Sequence, residues 1–176
     1  YLLGCGGLPV GRAVELYGDE SVGKTTFANT ALAGVQREGG IGIYIDAEAS
    51  FSEERCGLFG VNPADLILIQ PDSFEDASNK LIAALEAVPR GCGPVLAVLD
   101  SIAALPPQSE LDGEIGEAVI GARARILSQL CRVLGGPSGL LVSKRVCMLF
   151  VNQVREKIGI MFGDPTTTPG GRAVKF

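Results

Sequence analysis

The sequence predicts an α/β fold with a mostly parallel central sheet that is flanked by helices on both faces. Three observations predict it. Apolar runs typical of strands alternate along the chain with segments of helical periodicity, which is the order that produces parallel sheets. Val95–Leu99 is a continuous apolar run, as in strands that are buried on both faces. A glycine-rich turn, Gly18–Thr25, joins the first predicted strand to the first predicted helix.

Each element follows from its own local pattern. The predicted strands are short and mainly aliphatic, and they occupy Ala13–Tyr17, Ile41–Ile45, Leu66–Ile69, Val95–Leu99 and Val146–Val151. The predicted helices carry apolar residues at helical spacing, and they occupy Lys24–Arg37, Glu53–Phe59, Phe74–Val88 and Ala118–Leu134. Two stretches, Pro106–Glu117 and Val154–Gly171, fit neither pattern. The second is long for a connection in a compact domain, and such loops are usually functional or disordered.

The composition is that of an ordinary globular domain. Apolar residues make up 47% and charged residues 20% of the 176 residues, so disorder is not expected. No apolar run reaches the roughly 20 residues that a membrane span needs. We expect one domain over residues 1–176 that is cut at both ends, because Tyr1 is not a methionine and a new segment begins just before Phe176.

Charge and cysteine content limit the classes of site. The net charge of -5 argues weakly against a nucleic-acid-binding protein, although such binding depends on local charge placement. A zinc site is not expected, because the chain has no His and no CxxC pair. The cysteines are typical of small buried side chains in a reducing cytoplasm, and they are Cys5, Cys56, Cys92, Cys131 and Cys147.

Residues 18–25 form a phosphate-binding motif. Their sequence, GDESVGKT, matches GxxxxGK[ST] in full between a predicted strand and a predicted helix, which indicates a P-loop NTPase. Glycines let backbone N–H groups surround phosphate oxygens, and the helix adds the positive end of its dipole. Lys24 is expected to reach the β- and γ-phosphates of ATP, and the Thr25 hydroxyl to ligate Mg²⁺. The alternative is a chance glycine turn. The predicted nucleotide-binding residues are Gly18, Asp19, Glu20, Ser21, Val22, Gly23, Lys24, Thr25, Thr26 and Asp100.

Two acidic positions complete the predicted site. Asp100 ends a central strand, where a carboxylate faces the ligand crevice and can hold Mg²⁺ together with Thr25, although an acid there can also be a simple turn residue. Glu48 follows the neighbouring strand and is the candidate base that orients the attacking water. Asp46 is nearer the strand end and competes for this role, but we expect it to be structural.

Several motifs resemble those of the bacterial RecA family of recombinases, and together they cover nearly the whole chain. One precedes the phosphate loop, two follow predicted strands, and the others resemble the DNA-facing loops of the family. They are Gly7–Arg12, Asp46–Glu48, Leu99–Ser101 with Ala103–Leu105, Gly113–Gly116, and Asn152–Arg155 through Lys157–Gly159, Met161–Gly163 and Gly170–Gly171.

The resemblance implies a RecA-type core and an ATP-dependent filament on single-stranded DNA. Such a filament pairs with homologous double-stranded DNA, exchanges strands in recombinational repair, and stimulates self-cleavage of LexA-type repressors in the SOS response. The resemblance assigns catalytic roles to Lys24, Glu48 and Gln153, of which Gln153 senses the γ-phosphate and orders the DNA loop. It places Lys175–Phe176 near a subunit interface.

Four positions depart from the family pattern, namely Ala49, Ser52, Arg55 and Pro169, and two of them concern the nucleotide base. In the family, an Asp and a Tyr after the catalytic segment usually hold the adenine, whereas Ser52 and Arg55 stand there in this chain. Arg55 can stack on a base through its guanidinium plane.

The predicted loop Val154–Gly171 has the residues of a DNA-binding segment. Arg155 and Lys157 can meet phosphates, and exposed apolar side chains can wedge against bases. The alternative is that the apolar part enters the core as an irregular strand. Two arginines, Arg125 and Arg132, lie in the predicted helix Ala118–Leu134 that follows the Gly113–Gly116 motif. They add positive charge, or else form a solvated face. The predicted DNA-binding residues are Arg155, Lys157, Ile158, Gly159, Met161, Phe162, Gly170, Gly171, Arg125 and Arg132.

Two other functions remain compatible with these patterns. One is a related ATPase motor, such as a hexameric helicase, which uses the same phosphate loop in a closed ring. The other is a filament subunit that binds ATP without useful turnover. The presence of both Glu48 and the Gln153 loop favours the recombinase.

Overall fold

The computed structural model of the chain describes residues 6–113, 121–156 and 166–167. The strands of this part of the chain are β1 (Ala13–Gly18), β2 (Ile41–Asp46), β3 (Leu66–Ile69), β4 (Val95–Asp100), β5 (Val146–Gln153), β6 (Arg155–Glu156) and β7 (Thr166–Thr167). The helices are α1 (Lys24–Arg37), α2 (Glu53–Leu58), α3 (Phe74–Ala87), α4 (Gln108–Leu111), α5 (Ala122–Leu134) and α6 (Leu140–Ser143), with a 3₁₀ turn at Pro63–Asp65.

The central sheet confirms the predicted α/β class. Five parallel strands lie in the order β1-β5-β4-β2-β3, so β4 and β5 are inside the sheet and β1 and β3 are at its edges. All residues of β4 are buried, as its continuous apolar run predicts. Within the described residues, no helix is long and apolar enough to cross a membrane.

Alternate residues of the strands enter two separate cores. In β4, Val95, Ala97 and Leu99 pack on one face of the sheet with residues of α3, α5 and α6. Leu96 and Val98 pack on the other face with residues of α1 and α2. The period of two along each strand places successive side chains on opposite faces, so helices on both faces are needed to bury them.

Serine caps fix where two of the helices begin. The Ser73 hydroxyl accepts a hydrogen bond from the N–H of Asp76 at 3.1 Å and begins α3, and Ser52 accepts one from the N–H of Arg55 at 3.3 Å and begins α2. Caps of this kind stabilise a helix by about 1 kcal/mol.

Seven predicted boundaries differ from the structure. Strands β1, β2 and β4 each end one residue later than predicted, and helix α2 ends one residue earlier. The other three have a local physical reason. Helix α3 ends one residue early, because Val88 precedes a proline and takes an extended ψ of 123°. Helix α5 begins at Ala122, since Gly121 has φ 78°, outside the helical region; residues 118–120 of the predicted helix lie outside the described residues. Strand β5 continues past Val151 to Gln153, because it stays paired with β1 over that length.

The two stretches for which the sequence predicts no helix or strand each contain short elements in the structure. Helix α4 lies in the first, and the antiparallel pair β6–β7 lies in the second. For Arg155 the structure describes only its place in β6. The other predicted DNA-binding residues of this loop lie outside the described residues, and they are Lys157, Ile158, Gly159, Met161, Phe162, Gly170 and Gly171.

The described cysteines are free thiols inside or near the cores. Cys56 and Cys147 are buried, whereas Cys92 and Cys131 are half-buried. Burial raises the pKa of Cys147 to about 11, so this thiol stays protonated and apolar at neutral pH. Cys5 lies outside the described residues.

Candidate functional site

The carboxyl ends of four neighbouring strands meet at one edge of the sheet and form a cavity of about 550 Å³. The phosphate loop follows β1, and Glu48, Asp100 and Gln153 stand at or just beyond the ends of β2, β4 and β5. In parallel sheets this edge is the usual place for a ligand. The residues that line the cavity are Glu20, Ser21, Gly23, Lys24, Thr25, Thr26, Asn29, Tyr44, Glu48, Ser50, Phe51, Ser52, Arg55, Cys56, Asp100, Ser101 and Gln153.

The phosphate loop has the backbone shape that anion binding requires. Ser21 has φ 60° and Gly23 has φ 94°, and such left-handed residues turn successive N–H groups to one side. Helix α1 begins at Lys24, so its positive end points at the cavity. Lys24 Nζ donates to the carbonyls of Gly18 at 2.9 Å and Asp19 at 2.6 Å, which holds the ammonium group against the loop.

Thr25 and Asp100, the two predicted Mg²⁺ ligands, are in direct contact. The Thr25 hydroxyl donates to Asp100 Oδ2 at 2.7 Å, and the Tyr44 hydroxyl donates to the same oxygen at 3.0 Å. Asp100 is 5% exposed. Burial raises the pKa of Asp100, and the hydrogen bonds from Thr25 and Tyr44 lower it by less. The structure therefore joins residues 75 positions apart in the chain.

The Thr25–Asp100 pair has too few ligands for a metal site built from protein side chains alone, but it has the number that Mg²⁺ usually takes from a protein. Among the described residues, no group of three or more His, Cys, Asp and Glu side chains can hold a metal ion. Mg²⁺ usually takes one or two protein oxygens and completes its shell with water and substrate phosphates. One carboxylate and one hydroxyl beside a phosphate loop are such a set.

The structure distinguishes the two acids at the end of β2 and just beyond it. Asp46 is buried and accepts hydrogen bonds from the backbone N–H groups of Ser50 and Phe51, both at 3.0 Å, so its carboxylate shapes the turn. Glu48 is exposed and lines the cavity, and it accepts a hydrogen bond from the Ser101 hydroxyl at 2.8 Å. The geometry thus favours Glu48 as the group that can reach a water molecule.

Gln153 lies at the junction of the cavity and the predicted DNA loop. It pairs in register with Gly18 at the ends of β5 and β1, and its half-buried side chain lines the cavity. The preceding residue, Asn152, is fully buried and donates to Glu15 Oε1 at 2.8 Å, while its own Oδ1 accepts the N–H of Gln153 at 3.0 Å. These bonds fix the backbone where the strand ends.

Of the predicted DNA-binding residues, the structure describes the side chains of Arg125 and Arg132. Both are exposed on α5. Neither lines the nucleotide cavity. Arg132 instead lines a second cavity of about 1210 Å³ at the opposite ends of the strands, together with Arg12 and Arg145. A role for either residue in DNA binding stays a prediction.

Among the residues near the site to which the sequence assigned no role, Tyr44, Ser101 and Asn152 contact predicted site residues or fix the backbone beside them. Tyr44 stands in an apolar strand, and a buried tyrosine hydroxyl usually has a partner, which is a signal that the sequence does carry. Ser101 directly follows Asp100 but contacts Glu48, and only the pairing of β2 with β4 brings them together.

The chain is similar to proteins of known family. A family model described as the RecA N-terminal domain matches residues 1–176. Protein RecA of Lactococcus lactis subsp. cremoris (strain MG1363) is 49% identical over 178 residues, which are 99% of this chain and 43% of that protein. Protein RecA of Chlamydia trachomatis serovar D is 47% identical over 174 residues, which are 99% of this chain and 47% of that protein. The chain therefore spans less than half the length of these curated relatives.

Proposed function

Since this chain belongs to the RecA family, we propose that it is the ATP-binding core of a DNA recombinase that hydrolyses ATP with Mg²⁺. The observation that carries the proposal is the single cavity at the carboxyl edge of the sheet. It unites the phosphate loop, the Thr25–Asp100 pair, Glu48 and Gln153.

The phosphate loop, the Thr25–Asp100 pair and Glu48 have separate tasks in the proposed reaction. Backbone N–H groups of the loop and Lys24 bind the triphosphate and neutralise its charge. Thr25 and Asp100 would hold Mg²⁺, which supplies charge stabilisation to the phosphate oxygens when bound. Glu48, held by Ser101 at 2.8 Å, orients a water molecule toward the γ-phosphate and accepts its proton.

Gln153 couples the nucleotide to the DNA-binding segment. Its amide can contact the γ-phosphate from the end of β5, and the backbone passes from there directly into residues 154–171. Contact with the phosphate therefore favours one arrangement of that segment, which is an order–disorder type of switch. Arg155 and Lys157, with Arg125 and Arg132 on α5, supply positive charge for phosphates in a chain whose net charge is -5.

The assembly and partners follow from the family. We propose that the full-length protein forms helical filaments on single-stranded DNA, pairs them with double-stranded DNA and acts on LexA-type repressors in the cytoplasm. The family match supports this reading over a hexameric motor, and the contact of Ser101 with Glu48 supports turnover over nucleotide binding alone.

Nucleotide-dependent binding of labelled single-stranded DNA by the full-length protein tests the proposal. We expect binding that needs Mg²⁺ and a nonhydrolysable ATP analogue, and that weakens steeply between low and high salt. Lys24→Met should abolish the nucleotide effect, whereas Lys80→Met, on the outer surface of α3, should leave it unchanged. Equal DNA binding with and without nucleotide would contradict the proposal. Electron microscopy of the same mixture separates helical filaments from closed rings.

A further inference from the structure

The turn that carries Glu48 has a backbone shape that ordinary residues rarely adopt. Ala49, which directly follows Glu48, has φ 50°, in the left-handed region that favours glycine. A residue with a β-carbon stays in this region only where the surrounding structure holds it there. The position of the Glu48 carboxylate therefore depends on the groups that hold this turn.

Asp46 closes this turn with its side chain. Its Oδ1 accepts the N–H of Ser50 and its Oδ2 accepts the N–H of Phe51, both at 3.0 Å, so the two bonds span Glu48 and Ala49. Because each oxygen bonds a different N–H group, the two bonds together require one orientation of the carboxylate plane. Asp46 is 2% exposed, and such a buried carboxylate depends on protein donors rather than on water. A group that orients Asp46 therefore also orients the turn.

Gln70 donates a hydrogen bond to Asp46 from the neighbouring strand β3. The distance from its Nε2 to Asp46 Oδ2 is 3.2 Å. Gln70 directly follows β3 and precedes Pro71, and a residue before proline is restricted to extended conformations. The register that pairs Ile45 with Ile69 thus continues by one residue and brings Gln70 beside Asp46. The strand pairing fixes the direction from which this donor reaches the carboxylate.

The Glu48 turn is thus held from both of the strands that flank β2. On the β4 side, the Ser101 hydroxyl donates to the Glu48 carboxylate itself at 2.8 Å. On the β3 side, Gln70 donates to the carboxylate that closes the turn. Gln70 is exposed and lies outside the set of described residues that line the nucleotide cavity. Neither core packing nor contact with the nucleotide therefore accounts for its bond to Asp46.

We propose that Gln70 is a positioning residue for ATP hydrolysis, which holds Glu48 in place through Asp46. Gln70 does not touch the reacting groups, and its effect on the rate comes from where the Glu48 carboxylate stands relative to the attacking water. The inference rests on the proposed function, since it assumes that Glu48 orients that water.

Steady-state hydrolysis of ATP by the full-length protein with Mg²⁺ tests the inference. Gln70→Met keeps the length of the side chain but removes the amide donor. We expect kcat to fall by about 10-fold and KM for ATP to change by less than about 3-fold, because the variant displaces the base without altering the phosphate loop. A kcat within about 2-fold of wild type would contradict the inference, and so would a raised KM with an unchanged kcat.

Gln36→Met is the matched control. Gln36 also fastens the backbone through its amide, since its Nε2 donates to the Asn62 carbonyl at 3.0 Å and its Oε1 accepts the Asn62 N–H at 2.8 Å. These bonds join α1 to the segment that precedes β3. We expect Gln36→Met to lower the melting temperature and to keep the wild-type kcat. An equal fall of kcat in both variants would mean that loss of stability lowers the rate, which overturns the inference.

A variant that restores a donor tests the chemistry of the contact. Gln70→Lys places an ammonium group within reach of Asp46, so we expect a kcat within about 3-fold of wild type. A loss as large as that in Gln70→Met would contradict the role of the donor.

Gln70→Met in the Glu48→Gln background tests the route through Glu48. We expect no further loss in single-turnover hydrolysis, because the carboxylate that Gln70 positions is absent from this background. A further loss of about 10-fold would show that Gln70 acts independently of Glu48 and would overturn the inference.

The outcomes separate this inference from the proposed function. If Glu48→Gln loses activity while Gln70→Met behaves as wild type, only the inference is wrong and the ATPase proposal stands. If the wild-type protein does not hydrolyse ATP with Mg²⁺, the proposed function fails and the inference fails with it.

Discussion

Gly18 and Gln153 pair in register at the carboxyl ends of the neighbouring parallel strands β1 and β5. The N–H of Val154 donates to the Gly18 carbonyl at 3.4 Å, so the pairing continues one residue beyond Gln153. Gly18 begins the phosphate loop, and Val154 begins the predicted DNA-binding loop. The two loops therefore leave the sheet side by side, and a movement of either one acts on a shared backbone contact.

Gln153→Ala should uncouple hydrolysis from DNA. The variant removes the amide that lines the cavity but keeps the backbone pairing with Gly18, so we expect nucleotide affinity within about 3-fold of wild type and loss of DNA-stimulated turnover. Steady-state hydrolysis with and without single-stranded DNA measures this. Asn79→Ala, which removes an exposed amide from α3, is the control. Equal stimulation of the Gln153 variant and wild type would contradict the coupling role.

Glu48→Gln should lower the maximal rate of hydrolysis by about 100-fold or more, with nucleotide affinity retained. Glutamine keeps the shape of the side chain but cannot accept a proton from water. Single-turnover hydrolysis and equilibrium nucleotide binding measure the two effects separately. Glu54→Gln, on the exposed side of α2, should behave as wild type. A rate within a few-fold of wild type in Glu48→Gln would exclude this residue as the base.

Ser101→Ala should lower the rate by about 10-fold, because it removes the hydroxyl that holds Glu48 at 2.8 Å and leaves the base itself in place. Because Ser101 acts through Glu48, the effects of the two variants should not add. Hydrolysis by the Glu48→Gln, Ser101→Ala double variant checks this, and a further 10-fold loss in the double variant would show that Ser101 acts independently.

Tyr44→Phe should weaken Mg²⁺-dependent nucleotide binding by about 10-fold, as loss of a group that orients a metal ligand usually does. The variant removes one of the two hydroxyls that donate to Asp100 Oδ2 and leaves the ring in the core. Titration with Mg²⁺ at fixed nucleotide measures the change. Tyr17→Phe changes an exposed tyrosine of β1 and serves as the control. Equal Mg²⁺ dependence in both variants would mean that Tyr44 only fills the core.

Asp76 gives a pH-dependent contribution to stability. The hydrogen bond from Lys80, at 2.6 Å, holds the pKa of Asp76 below its ordinary value of 3.8. A lowered folded-state pKa means that the stabilisation is present above pH 3.8 and is lost as the pH falls through the folded-state value. Asp76→Asn should therefore cost less than about 1 kcal/mol at pH 7, since the pair is at the surface, and progressively less as the pH falls below 3.8.

Urea unfolding of the wild type and Asp76→Asn across this pH range measures the effect, and a double-mutant cycle with Lys80→Met isolates the pair. Asp76 also lies in the first turn of α3, where a negative charge is favourable. A difference that persists unchanged in the Lys80→Met background would assign the stabilisation to the helix end instead of the ion pair.

The local sequence was sufficient for the five strands of the sheet, for the longer helices and for the phosphate loop, whereas the short helices α4 and α6 and the β6–β7 pair were not predicted. The continuous apolar run Val95–Leu99 indicates a strand that is buried on both faces of the sheet. The geometry of residues 18–25 depends on glycines within the motif and on the helix that follows it. Both are short-range effects, which a pattern can capture. Helix α5 shows the limit, because the apolar spacing of the sequence does not reveal that Gly121 takes φ 78° and that the helix begins at Ala122.

The sequence by itself determined which residues are candidates for binding phosphate and a metal, because that chemistry belongs to the side-chain types and their order. Only the tertiary structure decided which acid is exposed to the cavity and which accepts hydrogen bonds from the backbone of a turn. Asp46 and Glu48 are two positions apart, and the strand pairing that brings Ser101 to Glu48 and backbone N–H groups to Asp46 distinguishes them. Contacts between residues far apart in the chain depend on how strands are ordered in the sheet, and no local pattern contains that order.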